Sequence, residues 1–172
     1  MKFNLRPWNT SDIDALCISA DNAKIARYMT DRFPHPYSKE AGERFIAITT
    51  SKENANRFRV IEIDGAFAGG IGIHPQEDIF SLNAELAYWL DESYWNKGFA
   101  TKAVVEMTEY GFRTFEITRI FARVFGSNKA SARVLEKAGY SFEYTIEKSI
   151  IKNSDIEDCL IYGINKLGNT DL

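Results

Sequence analysis

The sequence predicts a mixed α+β fold, one sheet of about seven strands with helices packed on its faces. Three observations carry this expectation. Apolar residues alternate with period two in several separate stretches, the mark of half-buried strands. Other segments repeat apolar residues at i, i+3 and i+4, the mark of amphipathic helices. The strands come in runs with few helical crossovers between them, which indicates a mixed sheet rather than a purely parallel one.

Taken in order, Lys2 to Trp8 reads as a short strand carried by Phe3 and Leu5, with Pro7 suited to its edge or end. Thr10 to Asp12 opens a helix continued by Ile13, Leu16, Cys17 and Ala20, and a second helical piece covers Ala23 to Met29. Two prolines make Arg32 to Tyr37 a loop, after which Ser38 opens a helix that runs to Ser51. Phe58 to Ile63 and Phe67 to His74 form a hairpin around Asp64-Gly65. Gly69, Gly70 and Gly72 in its return strand call for a bulge or a close approach of backbone. Leu82 to Leu90 is a further strand.

Gly98 to Phe115 is the clearest helix. Ala100, Ala103, Val104, Met107 and Gly111 form its buried stripe, and Lys102–Glu106 and Glu109–Arg113 can pair on its wet face. Thr118 to Phe125 is a strand with Ile120, Ala122 and Val124 on one side. Ser127 or Asn128 caps the next helix, whose stripe is Ser131, Val134, Leu135 and Ala138 and whose stop is Gly139. Strands Ser141 to Ile151 and Asp155 to Ile164 close the fold, and residues 166–172 read as a frayed tail.

A length of 172 residues fits a single domain, 1–172, able to bury roughly 70% of its unfolded surface without a metal or disulfide staple. Charged residues are 26% and apolar ones 45%, the balance of a globular protein, and 13% aromatics provide rings for a core or a ligand cleft. A net charge of −3 argues against a general nucleic-acid binder. Two distant cysteines, Cys17 and Cys159, read as core fillers in a reducing compartment, and two histidines leave little material for a zinc site. No apolar run is long enough to span a membrane, and the opening MKFNLRPWNTSD lacks the apolar core of a secretion signal. A cytoplasmic protein with no metal is expected.

The stretch richest in chemistry is Glu85 to Thr101, ELAYWLDESYWNKGFAT. A strand ends, a short loop turns, and a helix begins at Gly98 followed by small residues. Orphan N–H groups and the positive end of the helix dipole lie there. Gly98 and Ala100 would let a phosphate approach those amides, and Lys97 adds a positive charge. Neither of two common phosphate loops, GxxxxGK[ST] and GxGxxG, is present.

The context of that stretch resembles the GNAT acetyltransferases, most closely the branch of ribosomal-protein N-terminal and spermidine acetyltransferases. The resemblance is carried by ELAYWL and YWNKGFATKA, by SNKASARVLEKAGY at 127–140, and by LRP at 5–7 and GGIGIH at 69–74. It extends from residue 3 to about 164. Trp95 departs from the glutamine or arginine that many members carry three residues before the glycine. The resemblance implies a splayed, mostly antiparallel sheet with acetyl-CoA in the split. The pantetheine arm would pair with the backbone of Tyr88, Trp89 and Leu90. The pyrophosphate would sit on Asn96, Lys97, Gly98, Phe99, Ala100 and Thr101, in agreement with the anion-site argument, and Asn128 would contact the pantetheine arm or cap its helix.

Two residues are candidates for the chemistry. Glu85, held among aromatic residues with little polar company, would have a raised pKa and could accept a proton from the amine; the alternative is a strand-edge charge. In many members a tyrosine in the last helix protonates the thiolate, but Leu135 stands in that place. Ser131, one turn earlier, is the substitute the resemblance suggests, against an ordinary helix-turn serine. His74 reads as a satisfied loop histidine and Tyr140 as a packing anchor. By resemblance, Arg27–Met29 and Phe33–Tyr37 line the acceptor mouth. The expected activity is acetyl transfer from acetyl-CoA to a primary amine (a protein N-terminus, a polyamine or another small amine). A non-catalytic acyl-CoA-binding or sensor domain is the alternative. No nucleic-acid or membrane partner is expected, and exposed strands near the C-terminus are compatible with a homodimer.

Overall fold

A computed structural model describes residues 1–166. Strand β1 (Phe3–Arg6) stops before Pro7, which has no N–H to extend the ladder, and Trp8 turns into an apolar cluster. Arg6 at the strand end bonds Asp12 at 2.7 Å and Glu62 at 2.6 Å. Burial would raise the Asp12 pKa, but the Arg6 guanidinium and the Asn9 N–H hold it below the usual carboxylate range. Asn9 and Asp12 form a capping box around the 3-10 turn Thr10–Asp12, which runs into α1 (Ile13–Ala20). The second helical piece is a single turn, α2 (Ala23–Ala26), and α3 (Lys39–Thr50) starts at Ser38, whose hydroxyl accepts from the Ala41 N–H.

Strands β2 (Phe58–Ile63) and β3 (Ala66–Pro75) are joined by Asp64 and Gly65 at φ 50° and 81°, the two left-handed residues a two-residue hairpin turn requires. The glycine-rich return strand contains both expected features. Ile61 faces Gly69 while Glu62 faces Phe67, so β3 bulges at Ala68. Gly70 lies beneath two indoles, and a Cβ there would come within 3.0 Å of both Trp8 and Trp89.

Strand β4 (Asn83–Leu90) leads through helix α4 (Phe99–Thr114) to β5 (Arg119–Phe125). The α4 stripe is buried as expected at Ala103, Val104, Met107 and Gly111. The two ion pairs expected on its wet face do not form; the Lys102 ammonium lies 5.3 Å from the Phe3 ring centre instead. Exposed i,i+4 pairs contribute only a few tenths of a kcal/mol, so a nearby ring competes easily. Asn128, rather than Ser127, caps α5 (Lys129–Lys137), and Gly139 at φ 91° ends it. Strands β6 (Ser141–Lys152) and β7 (Asp155–Asn165) turn at Asn153 and Ser154, again both left-handed. The expected frayed tail lies outside the described residues except for Lys166, whose N–H donates to the Thr118 carbonyl at 2.8 Å.

The sheet order is β1-β2-β3-β4-β5-β7-β6, antiparallel throughout except for β4 with β5. Helices α4 and α5 cover one face around Ile73, Leu86, Met107, Ile120 and Leu135. Helices α1 to α3 cover the other around Trp8, Leu16, Ile46 and Trp89. Cys17 and Cys159 are free thiols, and Cys159 is buried as a core filler.

Candidate active site

The parallel pairing of β4 with β5 covers only Asn83–Glu85 against Arg119–Phe121. Beyond it the strands part, β4 staying with β3 as far as Leu90 and β5 with β7 as far as Phe125. The result is a V-shaped split in the middle of the sheet. Backbone polar groups alternate sides along a strand. Asn83 accepts from Gln76 and Asp91 donates to Ala68, both on the β3 side. The residues out of phase with them, Tyr88 and Leu90, therefore direct their N–H and C=O into the split. Trp89 corrects the expectation for this segment, because its backbone is in phase with the β3 ladder and its indole packs in the α1–α3 layer.

At the open end of the split, Asp91 caps a 3-10 turn, Glu92–Tyr94, by accepting from the Ser93 N–H at 2.9 Å. Trp95 then donates its indole N–H to the Leu90 carbonyl at 2.7 Å. This unusual residue thus ties the loop to the strand end. Asn96 and Gly98 follow at φ 59° and 80°, and α4 begins at Phe99, one residue later than the sequence suggests. A Cβ on Gly98 would meet nothing within 4 Å, so the glycine is needed for its left-handed backbone and the space in front of the helix is open. The first-turn amides of α4 face that space with the positive end of the dipole. Phe99, Ala100 and Thr101 form this first turn, half-buried, while Asn96, Lys97 and Gly98 are exposed. The Lys97 ammonium donates to the Ser93 carbonyl at 2.8 Å, which holds it beside the turn.

Glu85 lies where the split opens, on the face away from α4 and α5. It has more polar company than expected: Arg123 of β5 donates to it at 2.7 Å. Burial raises the Glu85 pKa, and Arg123 only partly reverses this, so the carboxyl stays above its ordinary value. Arg123 was hidden from the sequence because pairing across parallel strands depends on register. His74 is Glu85's partner in the β3 ladder, so it belongs to the strand and not to a loop. Burial lowers its pKa, and its ring sits edge-on to Phe58.

On the opposite face, the Ser131 hydroxyl lies 2.8 Å from the Tyr88 phenol oxygen. The Tyr88 side chain is a contact that sequence reasoning missed, since only its backbone was implicated. Asn128 fulfils its capping role through Oδ1, which accepts from the Ser131 N–H at 3.1 Å. Leu135 is fully buried, and Tyr140 is committed to the Thr108 hydroxyl at 2.7 Å.

A cleft of about 530 Å³ opens between α2, the loop after it and the tip of the β6–β7 hairpin. Arg27, Phe33 and His35 line one wall, and Lys152, Asp155 and Glu157 line the other. Phe33 stacks edge-on against Trp89 and Tyr28 against Phe125, which connects this cleft to both arms of the split. The hairpin wall has no counterpart in the sequence reading. Among the described residues, no group of three or more His, Cys, Asp or Glu could hold a metal ion, and no helix is long and apolar enough to cross a membrane.

Comparison with known proteins matches this geometry to a family. Residues 2–141 match the acetyltransferase (GNAT) domain model. The uncharacterized N-acetyltransferase YnaD of Bacillus subtilis is 34% identical over 161 residues, covering 93% of this chain and 91% of the relative. The uncharacterized N-acetyltransferase p20 of Bacillus licheniformis is 29% identical over 83% of this chain and 80% of its own. Spermidine N(1)-acetyltransferase of Escherichia coli is 26% identical over 81% of this chain and 73% of its own. Among solved structures, the ribosomal L7/L12 alpha-N-protein acetyltransferase RimL in complex with coenzyme A has a TM-score of 0.81 at 22% identity, covering 96% of this chain and 94% of that one. The microcin C7 self-immunity acetyltransferase MccE in complex with acetyl-CoA and AMP has a TM-score of 0.80 at 22% identity, covering 96% and 93%. A family model matching most of the chain, with the split sheet and open helix start, identifies the protein as an acetyltransferase of the GNAT family.

Proposed function

We propose that this protein transfers the acetyl group of acetyl-CoA to a primary amine by direct attack on the thioester. The observation that carries the reading is the split between β4 and β5, which runs from Glu85 to the open N-terminus of α4. The residues present fit the cosubstrate. The Tyr88 carbonyl and the Leu90 N–H can pair with an extended amide-bearing arm, and the Asn128 side chain stands at the start of α5 to assist. The amides from Asn96 to Thr101 can hold a pyrophosphate, with Lys97 adding charge. Bound there, acetyl-CoA supplies an activated carbonyl.

The chain's own groups do the rest. An alkyl amine is almost wholly protonated at neutral pH, so a proton must leave before attack. Glu85, with its raised pKa, accepts that proton directly or through water. The Tyr88 N–H, directed into the split on the Glu85 side of Leu90, donates to the carbonyl oxygen as charge develops. Ser131 lies on the far side of the split, where the sulfur leaves. The cleft between α2 and the β6–β7 hairpin admits the acceptor, its charged walls of both signs suiting a hydrophilic amine. Two relatives are named for amine acetylation, of spermidine and of a ribosomal-protein N-terminus, which supports this class of acceptor. The test is coenzyme A release with a panel of polyamines, amino acids and peptides with free N-termini. Turnover with at least one primary amine is expected. Tight acetyl-CoA binding without turnover on any amine would reject the reading.

A further inference from the structure

Tyr88 of β4 and Ser131 in the first turn of α5 meet across the helix side of the split, their hydroxyl oxygens 2.8 Å apart. Either hydroxyl could donate in this pair, and the chemistry of the two groups favours the phenol. The Ser131 N–H is taken by Asn128, and the Ser131 carbonyl also lies 3.4 Å from the Tyr88 oxygen. The phenol therefore faces the Ser131 hydroxyl and, at greater distance, the Ser131 carbonyl. Burial pushes its pKa up to about 12, so it remains O–H across the working range. A phenol is the more acidic of the two hydroxyls, which makes Tyr88 the donor in the arrangement proposed below and leaves the Ser131 proton free to turn into the split. The neighbouring phenol, Tyr140, is engaged with Thr108 and does not compete.

We propose that Tyr88 is a positioning residue for acetyl transfer, fixing Ser131 so that the serine hydroxyl donates a hydrogen bond to the departing sulfur. This rests on the acetyltransferase reading above. In the step, the amine nitrogen bonds to the carbonyl carbon, the C–S bond breaks, and its electron pair goes to sulfur. The amine's proton passes to Glu85 or water. Ser131 keeps its own proton, because an alkoxide is far more basic than the thiolate that leaves. A hydrogen-bond chain polarises each member, so Tyr88 strengthens the serine as a donor.

The experiment measures single-turnover acetyl transfer and the acetyl-CoA dissociation constant for Tyr88→Phe, Ser131→Ala, Ser131→Thr and the pairs. Tyr88→Phe should slow transfer about three- to tenfold, the worth of one hydrogen bond, with the dissociation constant unchanged. Ser131→Ala should slow it at least as much. Adding Tyr88→Phe to Ser131→Ala should cost nothing more, whereas in Ser131→Thr, which keeps a hydroxyl, the Tyr88 dependence should persist. A merely structural tyrosine would act equally in every background. Losses that multiply in the double variant overturn the proposal, as does a single variant that matches the parent. So does a Tyr88→Phe effect confined to acetyl-CoA binding. A parent that binds acetyl-CoA and acetylates no amine overturns the underlying reading, and this inference with it, before any variant is made.

Discussion

The base proposed for this enzyme is a single carboxylate, and the balance of forces on it sets the pH behaviour expected. Glu85 is held above its ordinary pKa because burial outweighs the attraction of Arg123. A base acts only when ionised, so turnover should rise with pH through this raised value. Arg123→Met keeps most of the side-chain stem but removes the two influences that favour the ionised form. The acidic limb of the pH–turnover profile should then move to higher pH, and a limb that stays in place or moves down would deny Glu85 the role of base. Glu85→Gln keeps the volume but cannot take a proton. Turnover should fall by about 10²–10⁴ with acetyl-CoA affinity unchanged, and the deficit should shrink as alkaline pH frees the amine. A loss seen only in acceptor binding would make Glu85 a cation anchor instead. The sequence pointed to Glu85 and Ser131 because each lies in a motif, at a position set by its own element. Arg123 and the Tyr88 hydroxyl were not legible, since what they touch depends on strand register and on where α5 lands on the sheet.

Elements with a local cause were read well. The Asp64-Gly65 hairpin, the Ser38 and Asn128 caps and the α4 stripe all follow from turn chemistry, capping and periodicity within a few residues. What the elements themselves do not carry is relational. The early parting of β4 from β5 was expected through the family resemblance alone and has no signature in either strand, because each is paired on its other side and carries an ordinary apolar pattern. The hairpin wall of the cleft proposed to admit the acceptor was missed for the same reason. The junction of β4 with α4 shows how a local feature acquires a role from this geometry. Gly98 is left-handed, with free space where a side chain would begin. Gly98→Asn should be tolerated, because asparagine accepts that backbone at little cost. Gly98→Glu should cost about 1–2 kcal/mol of stability for the strained backbone and also place a carboxylate before the helix amides. Acetyl-CoA affinity, measured by calorimetry, should be retained in the first variant and lost in the second. Equal affinity in folded Gly98→Glu would mean the anion site lies elsewhere.

The same split weakens the molecule as a whole and makes its stability responsive to ligand. Strands β1 to β4 form one half of the sheet and β5 to β7 the other, joined by three residues of parallel pairing and by the layers on each face. The α4–α5 layer spans both halves, with Ile73 and Leu86 on one side and Ile120 and Val124 on the other. On the opposite face, the bridges include the Glu85–Arg123 and Asp31–Lys152 pairs and the Tyr28–Phe125 ring contact, all partly exposed and individually weak. A ligand lying in the split would touch β4, α4 and the start of α5 together, and would bind only when the halves are correctly placed. It therefore stabilises the folded state by mass action. At 100 times its dissociation constant the gain is about 2.7 kcal/mol. For a chain of this size each kcal/mol raises the midpoint by roughly 2–4 °C, so saturating acetyl-CoA should raise Tm by about 5–10 °C. Adenosine alone, without the pyrophosphate or pantetheine arm, should give a much smaller shift at the same concentration. Gly98→Glu should abolish the acetyl-CoA shift while Glu85→Gln preserves it, since only the first obstructs the anion site. A parent protein whose Tm does not move at saturating acetyl-CoA would sink the assignment of the split as its binding site.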